Sequence, residues 1–304
     1  MNFGVIGTGS MGRNHMRVID SIPEINLTSA MDINSQNLKE ASEGFTINLF
    51  DDFRKMVDEV DAVAVSTPTT HHYEVAKFFL LNGKHVMVEK PFTTTLEQAE
   101  ELISIAEKKN LKIGVGHLER FNPAVEYVNG YISSPLFIEI QRLGSFSPRS
   151  LDIDVIMDLM IHDLDIILNW DKTGIKKIDV SGIPVISQKV DIANARLEFN
   201  SGMVAIVTAS RVSQKKTRKL RIFQKNGYFS VDYKKKRVKV YELKDGMVNE
   251  NIPEIEDVEP LKNLWNNFYL TAKTGVNHNV TGQEGRDALA LALYVSSNVK
   301  NIEI

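Results

Sequence analysis

Asp158 and His162 stand four residues apart in the stretch Asp154 to Trp170, whose pattern predicts a helix, so the two share a face. Histidine titrates near neutral pH and suits proton removal there. An aspartate beside it can orient the imidazole and stabilise its charged form. A helix-surface ion pair has the same spacing, so the pair gains meaning only with partners. Lys90 is one candidate. It follows the apolar run His85 to Val88 within Glu89-Lys90-Pro91. A lysine so placed can hydrogen-bond a substrate oxygen and stabilise developing negative charge. Together these groups suit oxidation of a secondary alcohol, in which a base takes the hydroxyl proton while hydride leaves to an acceptor.

The acceptor is suggested at the other end of the chain. An apolar run, Phe3 to Ile6, stops at Gly7-Thr8-Gly9-Ser10-Met11-Gly12, and a helical pattern begins at once. Gly7 permits a sharp turn off a strand. Gly9 lets backbone approach a pyrophosphate, and Gly12 lets helix pack on strand. Free N–H groups and a positive dipole end then face the phosphates. Twenty residues past Gly12, Asp32 ends a second apolar run and can bond an adenosine ribose 2′-OH. No Arg or Lys follows among Ile33, Asn34 and Ser35, which favours NAD over its 2′-phosphorylated form. His15 reads as a packed or hydrogen-bonded residue near this loop rather than a catalytic one.

These residues need a scaffold, and the first half of the chain predicts it. Strand and helix patterns alternate: a strand at Ile25 to Met31, helix at Asn34 to Glu43, strand at Phe45 to Phe50, and short helix at Asp51 to Val57. The apolar strand Asp61 to Ser66 runs into Ser66-Thr67-Pro68 and His71-His72. A helix to Asn82, the strand before Glu89, the helix Leu96 to Lys109 and the strand Leu111 to Val115 follow, ending at Gly116-His117. Alternation of this kind demands a doubly wound parallel sheet covered on both faces, with ligands at the carboxyl ends of its strands. Ser66, Thr67, Pro68, His71, Glu89 and Lys90 therefore join the glycine turn as candidate cofactor-binding residues. His71 and His72 are not a metal pair, because adjacent helical residues diverge and no acid or Cys partner is near. A break after residue 118 predicts two domains, 1–118 for the cofactor and 119–304 for substrate and dimerisation. The second half predicts an α+β domain with a large open, mainly antiparallel sheet, built from strands at 176–188, 190–199, 202–211, 216–224, 227–233 and 237–243. Gly144 to Arg149 reads as a substrate-facing lid. Closing helices at Leu261 to Lys273 and Gln283 to Val299 could pack back on the first domain.

The glycine turn, Ser66-Thr67-Pro68, Glu89-Lys90-Pro91 and Asp158-Leu159-Met160-Ile161-His162-Asp163 occur in one order along essentially the whole chain. The sequence thereby resembles the Gfo/Idh/MocA oxidoreductases. The resemblance implies a Rossmann domain, an NAD cofactor, and a catalytic set of Lys90, Asp158 and His162. It also implies a dimer or tetramer through the open face of the second sheet. Gly116 to Val125, with the Asp158 element, looks most like the subgroup acting on nucleotide sugars, the UDP-N-acetylglucosamine 3-dehydrogenases. Arg120, Arg142 and Arg149 could meet a pyrophosphate, Asn122 a sugar hydroxyl, and His117 the substrate side of its strand exit. A salt bridge is the plain alternative for each arginine. Oxidation of inositol or a free polyol is the alternative chemistry. A non-catalytic NAD sensor is the alternative of another class, and it gives no reason to hold Lys90, Asp158 and His162 together.

Composition narrows the rest. Apolar residues make up 43% of the 304 and charged residues 25%, which is ordinary for a globular chain able to bury two cores. With no cysteine there is no disulfide or thiolate chemistry. No apolar run approaches the roughly 20 residues of a membrane helix, and the amino-terminal strand does not resemble a signal peptide. These features predict a cytoplasmic protein with no membrane partner. A net charge of −3 argues against general nucleic-acid affinity. The basic runs Lys215 to Arg221 and Lys234 to Lys239 read as solvated hairpin and edge charges.

Overall fold

The computed structural model describes residues 1–146, 153–225, 227–278 and 280–301, apart from the side chain of Asn301. The first elements are β1 (Asn2–Ile6), α1 (Ser10–Asp20), β2 (Asn26–Met31), α2 (Ser35–Ser42), β3 (Asn48–Phe50), β4 (Ala62–Val65), α3 (His72–Leu81), β5 (His85–Val88), α4 (Leu96–Lys108) and β6 (Ile113–Val115). Then come α5 (Pro123–Asn129), β7 (Pro135–Leu143), a π-helical turn at Ile156–Met160 and α6 (Ile161–Trp170). Seven strands follow: β8 (Ile175–Ile183), β9 (Ile192–Phe199), β10 (Val204–Ser210), β11 (Thr217–Gln224), β12 (Gly227–Asp232), β13 (Arg237–Lys244) and β14 (Met247–Asn251). The chain closes with α7 (Pro260–Thr274), α8 (Gly282–Ser297) and β15 (Val299–Asn301).

Two compact units form. One comprises residues 1–118 and 259–286, the other residues 119–258 and 287–304. The first unit is a six-stranded parallel sheet in the order β3-β2-β1-β4-β5-β6, with the strand order reversing at β1. Central strands are continuous apolar runs buried on both faces, as in Ala62–Val65. Register is the positioning device. Ile6 pairs with Met31 and with Val65, Val65 with Val88, and Val88 with Val115. The next residue of each strand, Gly7, Asp32, Ser66, Glu89 and Gly116, therefore leaves the sheet at one edge. Four backbone hydrogen bonds carry the alignment past the strand ends: Gly7 to Met31, Ser66 to Ile6, Glu89 to Val65 and Gly116 to Val88, each at 2.8–2.9 Å. Helix α7, from the far end of the chain, buries Trp265 and Phe268 edge-on against Phe3.

The second unit is a nine-stranded sheet in the order β14-β13-β12-β11-β7-β10-β9-β8-β15. It is mainly antiparallel, with parallel pairing of β7 with β10 and of β8 with β15. The six strands expected between 176 and 243 are present as β8 to β13, the first ending at Ile183 rather than 188, and β7, β14 and β15 complete the sheet: β14 is exposed along its whole length and gives no alternation to read, and β15 has three residues. One face carries the core. Ile138 and Ile140 of β7, Leu220 and Ile222 of β11, and Ala193, Ala195 and Leu197 of β9 pack with Val155, Ile161 and Leu164, and with Ala288 and Val295 of α8. On the opposite face, Phe137, Phe223, Tyr228 and Tyr241 are direct cross-strand partners over four strands. Their rings lie 6.0, 5.1 and 4.3 Å apart in sequence, and the last two contacts are stacked.

Candidate active site

The glycine turn does what its composition predicts. Gly7 has φ +87°, and a Cβ there would lie 2.8 Å from the backbone of Ser66 and Thr67. A Cβ on Gly12 would fall 1.9 Å from the carbonyl oxygen of Gly7, so α1 can begin this close to β1 only with glycine. Gly9 differs. No protein atom lies within 4 Å of a Cβ placed on it, and it caps α1 without a side-chain bond. The first turn of α1 thus has no side-chain cap and the space beside Gly9 is open, the arrangement that receives a pyrophosphate. Ser10 and Met11 are exposed in that first turn. Thr8 is buried, and its amide and hydroxyl both donate to one Asp32 oxygen, at 2.7 and 3.0 Å.

A cavity of about 530 Å³ opens at this edge, lined by Gly7, Gly9, Asp32, Ser66, Thr67, Pro68 and His71 among others. Thr8, Ser10, Met11, Gly12, Glu89 and Lys90 flank the edge without lining that cavity. The lining suits a dinucleotide. The Thr67 hydroxyl is buried there with no hydrogen-bond partner among the described residues, so a polar ligand group would satisfy it. The second Asp32 oxygen accepts the Asn34 amide at 2.8 Å, which holds the carboxylate at the cavity. Its neighbours Ile33, Asn34 and Asn37 bring no positive charge, which favours a ribose hydroxyl over a phosphate there. Sequence reasoning missed Ile6, Met31, Ile33, Asn34, Asn37, Phe53, Glu74 and Val75 as lining residues. The first four had a usable signal, since they flank Gly7 and Asp32 in the chain; Ile33 is 88% exposed.

The loop carrying Lys90 is held from both sides by buried histidines. His15 Nε2 lies 2.9 Å from Glu89 Oε1, and the other Glu89 oxygen accepts the Lys90 amide at 3.2 Å. His72 starts α3 with its Nδ1 2.9 Å from the Pro91 carbonyl and its Nε2 2.9 Å from the Thr67 carbonyl. Burial pulls its pKa below the ordinary histidine value, against the two carbonyls, which raise it. His72, rather than its exposed neighbour His71, ties the Thr67 and Lys90 loops together. His117, at the exit of β6, is buried.

In the second unit Asp158 lies in the π-helical turn and His162 in the first turn of α6. The expected continuous α-helix from 154 is thus a wide turn leading into an α-helix. Asp154 secures its start by accepting the Met157 amide at 2.8 Å, and Arg211 donates to the Ile153 carbonyl at 2.9 Å. Asp158 and His162 are both half-buried, whereas Ile156, Met160, Ile161 and Asp163 are fully buried.

The arginines and Asn122 have structural duties. Arg142 is 3% exposed and forms a two-point pair with Asp163, at 2.7 Å for each bond, and a further bond to Glu119 at 2.8 Å. Arg120 grips Asp165 at 2.8 and 2.9 Å and Asn169 at 2.7 Å. Asn122 caps α5 through the Ala124 amide and donates to the Tyr233 carbonyl. For these three the salt-bridge or capping alternative describes the structure, and their polar atoms are committed within the protein. Aspartates spaced along α6, at 163 and 165, were the signal that could have paired them. Arg149 lies outside the described residues. Among the described residues no group of acids and histidines could hold a metal, and no helix is long and apolar enough to cross a membrane.

The parallel sheet, the glycine turn and the acid-bearing second strand define an NAD-binding oxidoreductase of the Rossmann class. Residues 1–117 match the oxidoreductase family GFO_IDH_MocA with its NAD-binding Rossmann fold. UDP-N-acetylglucosamine 3-dehydrogenase of Acidithiobacillus ferrooxidans is 38% identical over 260 residues, which cover 84% of this chain and 82% of that protein. Its solved structure superposes with a TM-score of 0.94 at 34% identity, covering 98% and 97% of the two chains. Myo-inositol 2-dehydrogenase of Thermotoga maritima is 26% identical, with 69% of each chain covered. The chain belongs to the Gfo/Idh/MocA oxidoreductase family.

Proposed function

We propose that this enzyme oxidises the 3-hydroxyl of a UDP-N-acetylhexosamine, UDP-N-acetylglucosamine first among them, to the ketone. The reading is carried by the 38% identity to a UDP-N-acetylglucosamine 3-dehydrogenase over 84% of the chain. Bound NAD supplies the hydride acceptor. The protein's part is assigned to three residues. His162 takes the hydroxyl proton, Asp158 orients the imidazole and stabilises its charged form, and Lys90 donates to the substrate oxygen as negative charge develops. With Arg120 and Arg142 engaged by acids, His117 and Arg149 are carried forward as substrate-facing residues. The row Phe137, Phe223, Tyr228 and Tyr241 supports assembly of a homodimer or homotetramer through the outer face of the nine-stranded sheet. A chain of 304 residues without cysteine supports a reducing, cytoplasmic location.

The test is direct. Purified protein is mixed with NAD and UDP-N-acetylglucosamine, and NADH absorbance is followed. Turnover is expected. Silence with this sugar nucleotide, alongside rapid oxidation of inositol or a free sugar, would overturn the substrate assignment.

A further inference from the structure

A buried hydrogen-bonded chain runs from the carboxyl-terminal part of the first unit to the Lys90 loop, and no part of the proposed chemistry uses it. Trp265 Nε1 lies 3.0 Å from His15 Nδ1, His15 Nε2 lies 2.9 Å from Glu89 Oε1, and Glu89 Oε2 lies 3.2 Å from the Lys90 amide. We propose that His15, held by Trp265, is a positioning residue that sets Lys90 through Glu89. This rests on the reading of Lys90 as the group that meets the substrate oxygen.

The partners dictate the proton positions. An indole N–H only donates, so His15 Nδ1 accepts and carries no proton. The ring proton is then on Nε2 and is donated to Glu89. A neutral His15 and an ionised Glu89 satisfy every atom of the chain; protonating His15 at Nδ1 would set two N–H groups against each other. The chain is also rigid. His15 is 1% exposed and Trp265 is fully buried, with their rings packed edge-on. Gly116 closes the far side, since a Cβ there would lie 3.0 Å from the Glu89 carboxyl group. The Glu89 carboxylate thus has one orientation, and with it comes the backbone of the next residue. Leucine at position 15 would strand a buried indole donor and a buried carboxylate at once. A passive packing role would not need the donor and acceptor to alternate along the chain, nor end it on the amide of Lys90.

The experiment uses the full-length protein with NAD and UDP-N-acetylglucosamine. His15→Leu is expected to lower kcat by roughly 10–100-fold while the NAD dissociation constant stays within about threefold, in line with misplacement of a reacting group. His15→Gln, whose amide nitrogen can still donate to Glu89, is expected to recover most of kcat. Unchanged kcat in His15→Leu, or equal losses of kcat and NAD affinity with no recovery in His15→Gln, would overturn the proposal. If His15→Leu does not fold, Glu89→Gln replaces it, with the same split expected. ¹⁵N NMR of histidine-labelled protein supplies a readout independent of turnover: His15 should be neutral with its proton on Nε2, and a proton on Nδ1 overturns the chain. Lys90→Met separates the two readings. Normal turnover in Lys90→Met removes the role of Lys90 itself. An inactive Lys90→Met with an unaffected His15→Leu removes only the positioning role.

Discussion

In the parallel sheet, Gly7, Asp32, Ser66, Glu89 and Gly116 come to one edge because neighbouring strands end in register. In the nine-stranded sheet, Asp158 and His162 ride on a helical segment seated by side chains. Arg142 on β7 grips Asp163, the residue after His162. Arg120 grips Asp165. Arg211 is joined to Asp191, which also accepts three amides at Val185, Ile186 and Ser187, and it reaches the carbonyl of Ile153. One edge is thus positioned by backbone and by the absence of Cβ atoms, the other by buried ions. Backbone register tolerates changes of side chain except at glycine. Buried ion pairs tolerate almost none, because removing one partner leaves the other charged and dry.

The contrast sets the order of expected effects. His162→Ala should lower kcat by about 10³-fold, the scale of a lost general base, with NAD binding unchanged by titration. Retained turnover would remove the base from the second unit altogether. Next comes a pair of glycine changes at the register-built edge. Gly12→Ala should fold poorly, its Cβ meeting a carbonyl at 1.9 Å. Gly9→Ala should melt as wild type does, since its Cβ meets no protein atom, yet weaken NAD about tenfold or more by filling the space left for phosphate. Equal loss of stability in both would mean that Gly9 serves packing. Arg142→Met leaves Asp163 buried without its cation and leaves Glu119 only the longer Arg218 contact at 3.4 Å. It should cost about 3–5 kcal/mol, a fall in Tm of roughly 10 °C, with NAD affinity untouched. A wild-type Tm in that variant would contradict the ion-seated helix.

The smallest effect is a pH dependence in the first unit. Burial lowers the pKa of His72, and burial together with the Lys112 charge lowers that of His85. Both fall below about 6.5, so the unfolded chain binds more protons across that window. Stability should therefore rise with pH through it and be lost as pH falls below about 6.5, by a few degrees of Tm. His72→Asn should flatten that slope. An unchanged slope would remove His72 as its source.

Much of the first edge was legible. Gly7, Gly9 and Gly12 act at their spacing, and Asp32 ends its strand, because turn, strand and helix start are local patterns set by Cβ sterics. The helical character of the segment carrying Asp158 and His162 also follows from its pattern, although its first turn is π-helical. The partners of Arg120 and Arg142 were not legible because an arginine's partner is a long-range fact: Arg142 and Asp163 are 21 residues apart, and Arg120 and Asp165 are 45 apart. The roles of His15 and His72 were hidden for the same reason. His15 is joined to Trp265 across 250 residues, and His72 to Pro91 across 19. Sequence spacing determines which face of an element a residue takes, since that depends only on backbone geometry. Which donor meets which acceptor is decided only when burial removes water and leaves each polar group the partners that the fold brings to it.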